Sequence, residues 1–457
     1  MNIHRSVAAL LGGTCIVAIA TPAVGQTSEA AQLPQQLQQQ QPAAPVQEDQ
    51  NAIVVTAQKR PQLLIDVPQS VSVVSGQTLE AQHATNFQDY LKLVPGLQLN
   101  QSDPGEGRLI VRGVNTGSVA STVSVYVDET PFGSSSGLVN GGVLAADFDT
   151  FDLNRIEVLR GPQGTLYGAS SLSGVLRFVT NAPQFDRVIV RGRAGIEAVK
   201  GGDLGYNANL LVNVPISSTL AFRASGSYRK DGGFIDSIGT VGSTFAGFGP
   251  GPSDVAKNID GDKVYGGRAS LLFKPNDKAS VRLTAIAQNV DADAPSLIEA
   301  DPVSLRPLHG LSQSQFAPIF SNLHYRLYNA TGIFDLGFGT LTTSTSASKQ
   351  NQKERTDLTN VYSGLLMAAF GFPPNNFAEP QRTNLSKFTQ EVRLTGQSHL
   401  IDWLIGGYYT HEKGLIGQTL VAYQAGTVTP IDALPLLGNS DIETLALHSK
   451  YREIAGF

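Results

Sequence analysis

The chain has 457 residues, of which 41% are hydrophobic and 16% are charged, and its formal net charge is −5. This negative balance disfavours nucleic acid as a partner, because phosphate binding requires a basic surface. The seven histidines are scattered and form no ligand-spaced pair, so the sequence offers no candidate metal site.

Residues 1–25 have the features of a secretory signal peptide. His4 and Arg5 precede an apolar run from Val7 to Ala20, and small residues stand before the expected cleavage point. The run is too short to cross a membrane as a helix, and no stretch of about 20 apolar residues follows it. It contains Cys15, the single cysteine of the sequence. The exported chain is therefore expected to lack disulfides and to depend on a large hydrogen-bonded framework.

Residues 26–50 are rich in Gln, Pro and Ala and show no apolar periodicity, which predicts a disordered linker. A β-prone pentapeptide follows it and consists of Ile53, Val54, Val55, Thr56 and Ala57. The pentapeptide has two interpretations. It is either the first strand of the next domain or an extended segment whose backbone pairs with the sheet edge of a partner protein. Its place after a disordered linker favours the second interpretation.

The patterns of residues 58–187 predict a small α+β domain. A strand is expected at Gln69–Val74, and Ser75 is placed to cap the short helix that follows. The capping box Thr85–Gln88 begins a second helix, which ends at Leu93. Further strands are predicted at Leu109–Arg112, Val123–Val127, Ile156–Leu159 and Val175–Thr180.

The segment Leu153–Thr180 joins two short apolar strands through a glycine-rich turn. It contains the pattern Arg-Gly-Pro-x-Gly-x-x-Tyr-Gly, formed by Arg160, Gly161, Pro162, Gly164, Tyr167 and Gly168. A phosphate-binding loop would close with a Lys-Ser or Lys-Thr pair, and this segment has none, so a nucleotide site is disfavoured. The glycines instead predict tight turns with positive φ.

Residues 188–457 alternate between apolar and polar side chains, which predicts antiparallel transmembrane strands. In Tyr206–Val214, for example, Tyr206 and Leu210 lie on one face while Asn209 and Asn213 lie on the other. Further strands are predicted at Leu220–Arg229, Val264–Lys274, Ala279–Asn289, Leu323–Leu336, Leu341–Gln352, Lys387–Thr395 and Trp403–Glu412. Long loops are predicted at Lys230–Lys263, Val290–Asn322, Asn351–Ser386 and Lys413–Ser449. Short turns separate these loops, as is typical of outer-membrane barrels.

The pattern from Arg160 to Gly168, preceded by the strand Ile156–Val158, resembles the plug domain of TonB-dependent outer-membrane receptors. The phrases VPQSVSVVSG, VPGLQL, RGVN and VYVDETPF extend the resemblance over the whole predicted α+β domain, and RGVN contributes Arg112 and Gly113. Where the family usually has a glycine pair, this chain has Ser173 and Gly174. The loop is therefore expected to turn slightly differently.

The resemblance implies a receptor in the cell outer membrane, with an α+β plug inside an antiparallel transmembrane β-barrel that is surrounded by outer-membrane lipid. It implies energised uptake of a scarce, large nutrient, most often a ferric siderophore, with no enzymatic chemistry and no cofactor. The pentapeptide, within residues 51–57, would be the TonB box that binds TonB, and residues 26–50 would be a periplasmic linker. Candidate ligand-facing residues of the plug are Asp103, Arg108, Phe132 and Asn140, for which turns without ligand contacts are the alternative.

Two other functions remain open on the sequence alone. A passive outer-membrane pore or a surface adhesin would share the alternating strands, but neither needs a plug or a TonB box. The pattern yields nine barrel strands and a tenth that opens at Lys450, whereas plugged transporters have about 22 strands. We therefore expect an incomplete barrel, belonging to a truncated and non-functional receptor fragment that is degraded or aggregates when expressed alone.

Overall fold

The computed structural model of the chain describes residues 53–84, 87–103, 106–114, 116, 121–137, 150–239, 254–370, 376–424, 427, 429–431 and 441–457. The predicted signal peptide and the predicted linker lie outside these residues. Two assemblies of strands follow one another along the described chain, first a small mixed sheet with two satellite pairs and then a large antiparallel sheet. No helix in the described ranges is long and apolar enough to cross a bilayer.

Within the described residues the first assembly, called the plug below, contains nine strands, three short α-helices and a 3-10 turn at Leu64–Asp66. Its strands are β1 (Val54–Val55), β2 (Gln62–Leu63), β3 (Val71–Ser75), β4 (Leu97–Asp103), β5 (Glu106–Val111), β6 (Val123–Val127), β7 (Thr130–Phe132), β8 (Leu153–Arg160) and β9 (Gly174–Thr180). Its helices are α1 (Gly76–Ala81), α2 (Phe87–Leu91) and α3 (Gly164–Tyr167). Five strands form a sheet of order β3-β8-β9-β6-β7, in which only β6 and β9 are parallel neighbours.

The core of the plug lies between this sheet and the helices α1 and α2. Leu79 of α1 and Tyr90 of α2 are fully buried together with Ile156 of β8 and Phe178 of β9. The ring of Tyr90 meets Phe178 edge-on, with 6.0 Å between the ring centroids. This apolar core fixes β8 and β9, and with them the glycine-rich turn that joins the two strands.

The predicted helices of the plug are present with shifted ends. Ser75 caps α1, since its Oγ accepts a hydrogen bond from the Thr78 N–H at 3.1 Å, so the predicted cap is confirmed. The second helix is shorter than predicted and ends at Leu91. Its predicted capping box begins at Thr85, which lies outside the described residues.

The second assembly is a ten-stranded antiparallel sheet, called the wall below. Its strands, in their order in the sheet, are β10 (Ile189–Ala198), β11 (Leu204–Pro215), β12 (Leu220–Asp231), β14 (Asp262–Asn276), β15 (Ala279–Ala292), β17 (Phe320–Asp335), β18 (Thr340–Asp357), β19 (Asn376–Gln397), β20 (Asp402–Tyr423) and β21 (Asp441–Gly456). Three elements lie in its long connections, namely β13 (Asp236–Ser237), β16 (Ser312–Gln313) and α4 (Thr359–Phe370).

The alternation predicted for the wall strands is confirmed by their burial. On β11, Asn209 and Asn213 are buried, whereas Tyr206 and Leu210 are 46% and 56% exposed on the opposite face. Tyr206 is the first of three tyrosines that stack across β11, β12 and β14 on this outward face, with 5.8 Å between its ring and that of Tyr228. Outward aromatic rows of this kind are typical of the interfacial girdles of membrane barrels.

The prediction of two long loops is wrong, because the strands beside them extend much further than predicted. Where a loop was expected at Asn351–Ser386, β18 continues to Asp357, α4 follows, and β19 begins at Asn376. The loop expected at Lys413–Ser449 is partly strand as well. β20 runs to Tyr423, and the tenth strand covers 16 residues from Asp441 rather than opening at Lys450. These segments continue past the apolar band, so hydropathy does not mark them as strands.

Candidate functional site

The predicted partner-binding pentapeptide is described from Ile53 onward and lies against the plug. Val54 and Val55 form β1, which pairs antiparallel with β2, and the Leu64 N–H donates to the Ile53 carbonyl oxygen at 2.8 Å. Val55 and Ala57 are fully buried, while Ile53 and Val54 are each nearly half exposed. Within the described residues β1 pairs with β2 alone, so the pentapeptide is held by a two-residue ladder and by side chains.

Thr56 is the residue through which the pentapeptide contacts the charged interior of the plug. Its backbone N–H donates to Glu157 Oε1 at 3.2 Å, and Arg177 Nη1 donates to both its carbonyl oxygen and its hydroxyl. Glu157 is completely buried, and Arg177 is nearly so. A buried carboxylate and guanidinium stabilise each other only when their remaining polar atoms are bonded, and Thr56 supplies some of these bonds.

The glycine-rich motif also holds the pentapeptide. Tyr167 is buried, and its hydroxyl donates to the carbonyl oxygens of Thr56 and Ala57 at 3.3 and 3.1 Å. Burial raises the pKa of the Tyr167 phenol, which therefore stays a neutral donor. The predicted positive φ values are present at Gly161 and Gly168, which are 92° and 68°. The motif thus shapes a turn that places Tyr167 beneath the pentapeptide.

The remaining motif residues have structural contacts. Arg160 donates through Nη1 to Ser70 Oγ at 3.3 Å and so ties β8 to the start of β3. Pro162 stands between this arginine and α3, which begins at Gly164. Arg112 and Gly113 follow β5 with φ of 52° and 74°, and the Arg112 N–H donates to the Gly96 carbonyl oxygen. These two residues form the turn after β5.

The three described candidate ligand-facing residues lie on two separate parts of the plug. Asp103 ends β4 and Arg108 lies on β5, so both belong to one hairpin. Phe132 ends β7 and packs on Tyr325 of β17, with 4.0 Å between the ring centroids. Asn140 lies outside the described residues. Phe132 therefore faces the wall, a contact that its sequence context does not indicate.

Ion pairs join the plug to β19 and β20 of the wall. Lys59 Nζ lies 2.9 Å from Glu391 Oε2, and both side chains are buried. Glu129 bridges Arg177 of the plug and Arg393 of the wall at 2.6 and 2.7 Å. Burial raises the pKa of the Glu129 carboxyl, but Arg177, Arg393 and Lys59 outweigh this effect and hold its pKa well below the usual range. Glu129 is therefore a carboxylate at neutral pH.

A second set of ion pairs joins the plug to β12, β14 and β15. Asp152 of the plug contacts Arg223 Nη2 at 2.6 Å and also contacts Arg268. Asp128 contacts Arg282 Nη2 at 2.7 Å. Sequence analysis predicted none of these residues, because each looks like an ordinary charge on a strand or turn. The inward position of the three arginines in the alternating pattern was the signal that could have indicated them.

Comparison with known proteins identifies the assembly. Residues 64–175 match the TonB-dependent Receptor Plug Domain family. Over 192 residues the chain is 30% identical to the vitamin B12 transporter BtuB of Vibrio vulnificus, a match covering 41% of this chain and 28% of that protein. Over 124 residues it is 32% identical to the ferrioxamine B receptor of Salmonella typhimurium, covering 27% of this chain and 17% of that protein. Residues 64–175 are therefore a plug domain of the TonB-dependent receptor type.

Solved receptors share the fold well beyond the plug. The pyoverdine outer-membrane receptor FpvA of Pseudomonas aeruginosa superposes with a TM-score of 0.65 at 15% identity, over 90% of this chain and 57% of that one. The ferric yersiniabactin uptake receptor FyuA of Yersinia pestis gives 0.61 at 16% identity, over 85% and 61%. The predicted fold of a plug with part of an antiparallel transmembrane β-barrel is confirmed, as is the location in the cell outer membrane. The family is one of receptors and transporters, not enzymes.

Proposed function

We propose that this TonB-dependent receptor takes up a scarce, large nutrient, with a ferric siderophore as the favoured class. The names of its relatives support a large nutrient of this general class, since one relative is a transporter of vitamin B12 and two others are receptors for ferrioxamine B and catecholate siderophores. Each match spans less than a third of the relative's length, and the matched solved chains are spanned by about half to three fifths. The ligand face of the plug would include Asp103, Arg108 and Asn140, whereas Phe132 packs against the wall.

The observation that carries the proposal is the open edge of β1, which we assign as the TonB box. In an antiparallel pair, hydrogen-bonded and non-hydrogen-bonded residue pairs alternate. Because Ile53 accepts from Leu64, the intervening pair Val54–Leu63 is of the second kind, and the Val54 N–H and C=O point away from β2. An extended strand of TonB could add to this edge and bear a pulling force through backbone hydrogen bonds.

The contacts of Thr56 and Tyr167 complete the proposed mechanism. A strand bound at Val54 pulls directly on Thr56, whose partners Glu157 and Arg177 lie in the five-stranded sheet of the plug. Force on the box therefore reaches β8 and β9, the strands that carry the glycine-rich motif. A passive pore or an adhesin has no use for such a connection.

A proline scan of the box tests the proposal. Val54→Pro removes the outward donor and spares the bonds between Val55 and β2, so we expect energised uptake to be abolished while ligand binding at the cell surface persists. Val54→Ala keeps the donor and is the matched control, with uptake close to that of the unaltered chain. The measurement is accumulation of iron-labelled ferrioxamine B and of vitamin B12 in cells that express the full chain, with and without an inner-membrane uncoupler. The proposal is contradicted if the Val54→Pro variant accumulates as much ligand as the unaltered chain in energised cells. It is also contradicted if the uncoupler leaves uptake unchanged.

A further inference from the structure

Five arginines on neighbouring strands of the wall point inward at the plug. We call them the arginine belt, and they are Arg191 and Arg193 of β10, Arg223 of β12, Arg268 of β14 and Arg282 of β15. Arg191 and Arg268 lie in one row of the ladder, through Leu211 and Ser225. Arg223 and Arg282 lie close to the strand starts that follow short turns, and Arg191 and Arg193 lie close to the start of β10.

The carboxylates that neutralise the arginine belt belong to the plug. Asp152 pairs with Arg223 and Arg268, as described above. Asp128 pairs with Arg282, and Glu80 of α1 lies 2.8 Å from Arg191 Nη1. Among the described residues, these three carboxylates face five guanidinium groups, and the wall contributes no ion-pair partner to any of the five. The belt thus carries surplus positive charge even with the plug in place.

Several guanidinium N–H groups of the belt have no acceptor. Within the described residues, the buried Arg223 Nη1 and the buried Nε and Nη2 atoms of Arg193 have no hydrogen-bond partner. The Arg223 side chain is 94% buried. Arg193 instead lies over the ring of Phe151, with 5.3 Å from its guanidinium carbon to the ring centroid. Buried donors of this kind are costly unless an acceptor reaches them.

A cavity of about 60 Å³ lies between the plug and this part of the wall. Its lining includes Asp152 and Thr180 of the plug and Arg268, Ser225 and Gln288 of the wall. Because a buried water needs roughly 10–15 Å³ and two to four polar partners, the cavity has room and partners for several waters. The contact between plug and belt is therefore polar and incompletely packed.

We propose that the arginine belt is an inner anion-binding site on the ligand's path past the plug. When Asp152, Asp128 and Glu80 leave with the moving plug, five guanidinium groups lose their carboxylates, and anionic oxygen atoms of the ligand replace them. This inference rests on the proposed function and names the ligand class as anionic, with carboxylate, phenolate or similar oxygen groups. It also places the path along β10–β15, since the inward cations of β19, Lys387 and Arg393, keep carboxylates of the wall.

Anion rescue tests the site without requiring transport. Asp152→Asn uncovers Arg223 and Arg268, so we expect the melting temperature of the purified, detergent-solubilised full chain to fall by several degrees. Millimolar inorganic phosphate should restore most of this loss, whereas chloride at equal ionic strength should not, because a bound anion stabilises only the folded state that has the site. Asp128→Asn, which uncovers Arg282 alone, is the milder variant, with a smaller loss and the same phosphate-specific gain.

Two control variants locate the effect. In Glu129→Gln the cations keep other carboxylates, so phosphate should add nothing beyond chloride. Adding Arg193→Gln to Asp152→Asn should remove at least half of the phosphate gain. The absence of a phosphate-specific gain in both Asp variants overturns the proposal. An equal gain in Glu129→Gln also overturns it, because the phosphate would then be an adventitious ion only. Failure here leaves energised uptake untouched, and failure of the Val54→Pro experiment leaves the anion site untouched, so the two are distinguishable.

Discussion

The described carboxylates that pair with the arginine belt come from the plug, whereas Arg229 further along β12 keeps Asp231 of its own strand, and on β19 and β20 the wall supplies carboxylates of its own. Arg393 keeps Glu391 at 2.7 Å, and Lys387 keeps Glu412 at 3.0 Å. One side of the wall therefore stays neutral when the plug moves, and the other becomes positively charged. The difference teaches that, in the proposed uptake, the plug acts as a mobile counterion for one part of the wall and as a neutral neighbour for the rest.

Asp152→Asn is expected to have the largest effect on stability. It leaves two buried guanidinium groups without a carboxylate, and breaking a buried ion pair on one side costs about 3–5 kcal/mol. The measurement is denaturant or thermal unfolding of the full chain in detergent. A loss within the range of a surface substitution would show that the belt is neutralised by something other than Asp152.

Glu129→Gln tests the part of the wall where the cations keep other carboxylates. Arg177 and Arg393 keep Glu157 and Glu391 at 3.5 and 2.7 Å, so we expect a loss of about 1–3 kcal/mol, smaller than for Asp152→Asn. The folded-state pKa of Glu129 is depressed, so its contribution is complete above the unfolded value of about 4.3 and disappears as pH falls toward the folded value. Comparing unfolding at neutral and at acid pH checks both points, and a loss that grows on acidification would contradict them.

Tyr167→Phe should weaken the hold on the proposed TonB box with only a modest loss of stability. It removes one hydroxyl that donates to two carbonyl oxygens of the pentapeptide, a loss of about 1 kcal/mol. Hydrogen exchange should speed up at the amides of residues 53–57 and not at those of β19 and β20. Unchanged exchange in the pentapeptide would mean that the box is held without the motif.

Arg193→Gln should change stability least. Its described contact is with the ring of Phe151, and such an interaction is worth about 0.5–1 kcal/mol. Unfolding should therefore differ little from that of the unaltered chain, while at least half of the phosphate rescue of Asp152→Asn is lost. A large destabilisation by this substitution alone would assign Arg193 a structural role in place of an anion-binding one.

The sequence predicted the architecture because its main signals are local. Period-2 alternation located the wall strands, and the motif from Arg160 to Gly168 located β8, β9 and the turn between them. The strand ends beyond the membrane, such as β20 up to Tyr423, were missed because they lack the apolar outward face. Hydropathy reports burial in lipid and not strand pairing itself.

The charged contacts between plug and wall could not be predicted from the sequence. Thr56 and Glu157 are 101 residues apart, and Asp152 and Arg268 are 116 apart. No local pattern joins such residues, since a carboxylate on a turn and an arginine on a strand are ordinary surface residues when considered alone. Only the folded arrangement shows that they share one interior.

Thiol labelling in energised cells tests the central claim, that the plug uncovers a positive surface on one side of the wall. The only cysteine, Cys15, lies in the predicted signal peptide, so Ser225→Cys beside the belt and Thr389→Cys on β19 each add one reactive thiol to the exported chain. With ferrioxamine B and an energised inner membrane, an anionic methanethiosulfonate should label the Ser225→Cys variant several-fold faster than a cationic one, and faster than after uncoupling. The Thr389→Cys variant should show no preference for the anionic reagent. Equal rates for both reagents in the Ser225→Cys variant, or rates that ignore the energy source, would contradict the account.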